Sequence, residues 1–226
     1  VEVCEADLTI GIAGPKVHYF EPKGVIYSAG GRIDWARGNS EMIGLNAPDQ
    51  GQFDVQCEVD FVSGCALLAR CAAMQEAGLL DGRFGMYYEE TEWCVRIHRH
   101  GWRVMIVPAS VIWHKIEPAR QSDSPRIAYY MTRNRLLFLR LTHAPAAAWL
   151  LRLPRGFSTR AGPSPSRSGC SAPCWMTALQ PGSSWTLFST GRGTTVRTAS
   201  AGPLTSALRP VPNRCLTMRS PPAEQT

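Results

Sequence analysis

The stretch MYYEETEW, residues 86–93, crowds three carboxylates, Glu89, Glu90 and Glu92, between Tyr87, Tyr88 and Trp93. Like charges this close repel, and aromatic neighbours strip water from them; both push a carboxyl toward its protonated form. A carboxylate tuned that way suits general-base work near neutral pH. The same residues also suit an ordinary helix start, because an acid in the first turn meets the helix dipole favourably, by about 0.3–1 kcal/mol. A helical wheel over EETEWCVRIHRHG divides the three acids. Glu90 shares the apolar, inward face with Trp93, Cys94, Ile97 and Gly101. Glu92 lies with Val95, Arg96 and Arg99 on the charged face, where Arg96 is its i+4 partner, and Glu89 sits at the edge.

Three other places carry groups able to do chemistry. In VDFVSGCALLAR (59–70), Ser63-Gly64 interrupts a buried-strand pattern. That break is either a β-bulge or a point where backbone approaches a ligand. In VIWHKI (111–116), His114 ends a strand beside Trp113 and reads as a structural residue or a metal ligand. In YYMTRNR, Arg133 and Arg135 sit on an otherwise apolar helix, either facing an anionic phosphate or solvated. His98 and His100 flank Arg99 without zinc spacing and read as surface residues.

The elements that must position these groups alternate. TIGIAGPKVHY (9–19) reads as a strand broken at Gly14-Pro15, and GVIYSAGGRIDW (24–35) as strand-like with a tight turn at Gly30-Gly31. Residues 38–54 read as a long polar surface loop of the kind that often carries function. Residues 71–81 read as a short helix ended near Gly78, and 90–101 as the clearest helix, closed by Gly101. WRVMIVP is a strand stopped by Pro108, SVIWHKI a further short strand, and a helix follows from Pro125. Strands alternating with helices imply an α/β domain.

The net charge of +6 conceals an asymmetry: residues 1–123 hold 17 acidic and 11 basic side chains, whereas 124–226 hold 13 Arg and one acid, Glu224. After about Leu153 the chain is rich in Arg, Ser, Pro and Gly without period, a composition that does not build a core. Three readings stand for it: a basic tail for anionic lipid or nucleic acid, a neutral linker-like tail, or translation in a shifted frame. A nucleic-acid binder would rest on that tail alone, without a recognition helix or stacking platform. The eight cysteines follow no disulfide spacing and imply a reducing compartment. No leader peptide and no membrane-length apolar run is seen. The Arg-flanked segment APAAAWLLRLP (144–154) reads either as a membrane-interface helix or as packing on the core.

Residues 8–143, and above all 59–115, resemble the second half of family-two inverting glycosyltransferases of the GT-A fold. They look most like the bacterial rhamnosyltransferase-type members, enzymes of cell-wall polysaccharide synthesis. The shared pattern is strand, Ser-Gly, strand, short helix, Gly-x-x-Asp, aromatic-aromatic-acid-acid-x-acid, Arg-bearing helix, Gly, strand and Trp-His. GPKVHYF, SAGGRIDW and YYMTRNRLLFLR extend it in both directions.

The resemblance implies roles. Glu90, the second acid of the pair, is the general base that deprotonates an acceptor sugar hydroxyl. Glu89, Glu92 and Asp60 are supporting acids. Ser63, Gly64, Trp93, Arg133 and Arg135 are candidates for contacting donor or acceptor, and His114 matches a residue that helps hold a divalent metal (Mg or Mn). The expected substrates are a nucleotide-sugar donor and a glycan or lipid-linked acceptor. The expected location is the cytoplasm, with peripheral contact at the inner face of the membrane. One departure follows: the nucleotide-binding half, with its Asp-x-Asp metal motif, has no counterpart here, and neither has a Gly-rich phosphate loop. On this reading residues 1–143 are an acceptor-side half, inactive alone, and 144–226 a short apolar helix and a disordered tail. The alternative is a non-catalytic acceptor-binding or scaffolding module with a basic membrane-surface tail.

Overall fold

The computed structural model describes residues 1–116, 125–146 and 148, with the backbone alone of 175–178, 185–190 and 195–197. A short helix α1 (Glu2–Ala6) leads into the central strand β1 (Ile10–Tyr19). β2 (Ile26–Ser28), β3 (Gly31–Asp34), β4 (Asn39–Met42), β5 (Cys57–Glu58) and β6 (Leu67–Arg70) follow. Then come α2 (Cys71–Ala77), α3 (Glu89–Arg99), β7 (Arg103–His114) and α4 (Pro125–Leu141). Three short strands close the described chain: β8 (Trp175–Ala178), β9 (Trp185–Thr190) and β10 (Thr195–Arg197).

The main sheet is mixed, in the order β10-β7-β1-β6-β9-β8, with β2 attached to β1 and β5 to β7. β1 runs parallel to β7 and antiparallel to β6 and β2. β3 and β4 form a separate hairpin. The expected α/β architecture with flanking helices is therefore present. The tail expectation falls almost wholly outside the described residues; within it, β9 pairs with β6 and β10 with β7.

Two strand boundaries differ from the sequence reading for one shared reason. Gly14-Pro15 does not break β1, and Pro108 does not end β7. The register passes from Pro15↔Val107 to Lys16↔Val111, so the extra residues of β7, Pro108 among them, bulge opposite Pro15. Each proline lacks a ladder donor, and placing both at one irregularity lets the long strands continue. A second shift, between Ile10 and Ile12, sends the two isoleucines to opposite faces. Ile12 joins Val104 and Ile106 beneath the helices, while Ile10 packs with Cys4, Ala13 and Met105 under α1.

The apolar run 59–66 is also not a strand. It is a buried connector, its amides satisfied outside the ladder: Val59 N donates to Val104 O at 2.9 Å and Asp60 N to Gly31 O at 3.0 Å. The helices lie as expected. α2 ends at Gly78, whose φ of +78° suits glycine, and α3 buries Trp93, Cys94 and Ile97 completely. Phe138 and Leu139 of α4 and Ala148 complete that core. Residues 144–146 and 148 are the only described part of the apolar segment 144–154, and Ala148 packs inward.

The loop after β4 is tied down. Lys16, only 5% exposed, reaches Asp49 Oδ2 at 2.7 Å and Asp54 Oδ1 at 2.5 Å, and His18 Nε2 lies 2.7 Å from the same Asp49 oxygen. Burial works to raise the Asp49 carboxyl, but the bonds from Lys16 and His18 outweigh it and hold it at about 2. The 38–54 stretch is therefore not all loop: it opens as strand β4 and continues as an anchored loop.

Candidate functional site

The first turn of α3 is entered by an unusual backbone. Tyr87 and Tyr88 both sit in the left-handed region, at φ +67° and +70°. Tyr88 is the N-cap residue and makes no side-chain cap bond. Left-handed backbone costs a non-glycine residue of the order of 1–2 kcal/mol, so two in succession must be held by their surroundings.

The turn turns its acids inward. Glu89 is 8% exposed, and Oε2 of Glu89 and Oε2 of Glu90 are both shut off from solvent with no hydrogen-bond partner. The Gly64 amide approaches Glu90 Oε1 at 3.5 Å. A Cβ at Gly64 would meet the Glu90 side chain at 3.4 Å, an ordinary van der Waals contact, so this backbone lies beside the carboxylate without needing glycine there. Burial raises the Glu89 carboxyl to about 8, and the Glu90 charge adds to the effect. Burial likewise raises Glu90, while the Gly64 and first-turn amides pull the other way. Both carboxyls are thus pushed toward their protonated forms.

Neighbouring groups register the pair. Burial, then Glu89 and Glu90, raise the Tyr87 hydroxyl. Burial pushes the Cys65 thiol up to about 11 and that of Cys94 up to about 12, with Glu90 contributing to both. Ser63 Oγ lies 3.2 Å from Cys65 Sγ. Ser63, Gly64, Glu89 and Glu90 thus belong to one place, as the sequence pattern implies.

The other candidates separate from it. Glu92 is not on a solvated face. It is 6% exposed, and Arg96 Nη2 reaches its Oε2 at 2.8 Å, so the i+4 pairing holds but inside the protein. Arg96 also donates to the carbonyls of Ala77 and Leu79, which makes the pair a tie between α3 and the end of α2. Glu89 is likewise buried, whereas the wheel sets it at an edge; the left-handed entry rotates the first turn. Trp93 offers no face to a sugar: it is fully enclosed, and its indole N–H donates to Gly78 O at 2.8 Å. Asp60 is spent on the β3 backbone, accepting from Ile33 N at 2.7 Å.

Arg133 and Arg135 turn toward backbone carbonyls. Arg135 Nε donates to Gly38 O at 2.6 Å, and Arg133 Nη2 to Phe84 O at 2.9 Å. His114 meets Tyr27 edge-on at 5.1 Å, and burial lowers its pKa, so it stands as neutral imidazole. No acid contributes to that shift. Among the described residues no three His, Cys, Asp or Glu side chains gather into a group able to hold a metal ion. No described helix is long and apolar enough to cross a membrane.

Asn134 is the residue that sequence reasoning missed. It is fully buried, and its Nδ2 lies 2.9 Å from Phe84 O, 2.5 Å from Met86 O and 2.8 Å from Tyr87 O. The signal was there: Asn134 stands four residues before the buried Phe138, on the inward face of α4. No family model matches the chain, and no curated protein matches it either.

Proposed function

We propose that this chain supplies the acceptor-side half of an inverting glycosyltransferase of GT-A type, with Glu90 as general base. The observation that carries the reading is the pair of adjacent buried carboxylates whose outer oxygens have no partner. A purely structural first-turn acid would be solvated or paired, as Glu92 is with Arg96. A buried carboxylate has a raised affinity for a proton, which is what a base near neutral pH requires. The dense sequence pattern around 59–115 supports the same reading.

The step balances simply. The acceptor hydroxyl oxygen attacks the anomeric carbon while its proton passes to Glu90. The bond from that carbon to the donor phosphate breaks, and the nucleoside diphosphate leaves with the electron pair. One displacement inverts the centre. The Gly64 amide lies beside the base, and Glu89 is the adjacent buried acid. The donor is a nucleotide sugar and the acceptor a glycan or lipid-linked glycan, met at the cytoplasmic face of a membrane. Among the described residues no metal-ligating group gathers at His114, so a divalent ion (Mg or Mn) that neutralised the departing diphosphate would be held with the nucleotide-binding half, and the proton passes to Glu90.

A second reading, a non-catalytic acceptor-binding or scaffolding module, rests on the same observation, both outer oxygens being closed to solvent. One experiment separates the two: the chain joined to a nucleotide-binding half and assayed for sugar transfer. Glu90→Gln should cut transfer by about 100-fold or more with the fold unchanged. Near-normal transfer by that variant removes Glu90 from the role, and no transfer by the parent protein favours the binding module.

A further inference from the structure

The left-handed pair at Tyr87-Tyr88 needs something to hold it, and α4 supplies it. Asn134 Nδ2 reaches the carbonyls of Phe84, Met86 and Tyr87. Its Oδ1 accepts from Arg133 Nε at 2.8 Å, which fixes the amide with its donors toward the loop. Arg133 adds donations to the carbonyls of Arg83 and Phe84, and its guanidinium lies over the Tyr130 ring at 5.3 Å. One turn further along α4, Phe138 packs against the Tyr88 ring at 5.5 Å. Backbone and ring of the strained segment are thus gripped by a single helix.

We propose that Arg133 and Asn134 form a clasp that holds Tyr87-Tyr88 left-handed and thereby aims the Glu89-Glu90 pair inward; they are positioning residues for the pair. Without the clasp, the segment 84–88 relaxes toward ordinary backbone and the first turn of α3 rotates, letting water reach the carboxylates. The clasp rests on the glycosyltransferase reading only for the use made of the pair, not for its geometry. The titratable groups around the pair are Tyr87, Cys65, Cys94 and Glu92, with Arg126 acting on Tyr87.

The test follows the side-chain carboxyl signals of 13C-labelled glutamate through a pH titration of the whole chain. In the parent protein Glu89 should titrate well above the ordinary carboxyl range, with Glu90 raised as well. Asn134→Ala should bring that midpoint down by about one pH unit or more, since hydration favours the charged form. Arg133→Ala, which opens no hole in the core, should move it the same way by less. Arg99→Met is the control: it removes a donation from α3 to Thr142 O and leaves the clasp intact, so its midpoint should match the parent. Midpoints in both clasp variants equal to that of Arg99→Met overturn the proposal; if Asn134→Ala does not fold, Arg133→Ala decides alone. Shifted midpoints in a protein that transfers no sugar leave the clasp standing and sink only the glycosyltransferase reading.

Discussion

Two buried clusters of charge sit on this scaffold, and they are built in opposite ways. At Lys16, His18 and Asp49 the inward charges find partners: two carboxylates meet the ammonium, and Asp49 is held at about 2 against the pull of burial. At Glu89-Glu90 two adjacent inward carboxyls have outer oxygens with no partner, and both are pushed up. Compensated burial fixes a loop to a strand. Uncompensated burial stores a proton, and the strained backbone beside it shows that the rest of the structure maintains the arrangement.

The contrast can be broken from either side. The largest effect is expected at the compensated cluster: Lys16→Met leaves buried carboxylate without its cation and should cost about 3 kcal/mol in chemical denaturation. Next is the acid limb of the stability curve. The Asp49 pKa is lowered in the folded state, so its contribution is present above the unfolded value near 4 and lost as pH falls toward 2; it amounts to about 2 kcal/mol. Asp49→Asn should flatten that limb. At the uncompensated pair the sign reverses: Glu89→Gln removes a charge with no partner and should stabilise the protein at pH 8 by about 1 kcal/mol. The smallest effect is at Trp93. Trp93→Phe loses the donation to Gly78 O, about 1 kcal/mol or less, and should leave the glutamate midpoints unmoved, as befits a core residue.

Much of this was legible in the residues. The inward face of α3, the stop at Gly78 and the start of α4 at Pro125 follow from period and capping, and Glu90 emerges from the wheel because helix geometry is local. What was hidden is non-local. Two prolines meeting at one bulge let β1 and β7 run on, which neither strand reveals alone. Glu89 and Glu92 are buried because a left-handed entry and a neighbouring helix end surround them, not because of their spacing. Arg133 looked like a phosphate ligand because an Arg on an apolar helix carries no sign of which carbonyl it will meet. Asn134 could have been found by asking which polar residue lies on the buried face of α4.

The central claim is that the first turn of α3 keeps a proton at neutral pH because its carboxylates are buried without compensation. A carboxyl with a raised folded-state pKa contributes its full stability below the unfolded value of 4.5 and loses it as pH climbs from there to about 8. The direct measurement is the unfolding free energy at pH 5 and pH 8 for the parent and for the double variant Glu89→Gln/Glu90→Gln. The parent should lose stability between the two pH values, and the double variant should lose distinctly less. Equal losses in the two proteins would contradict the account.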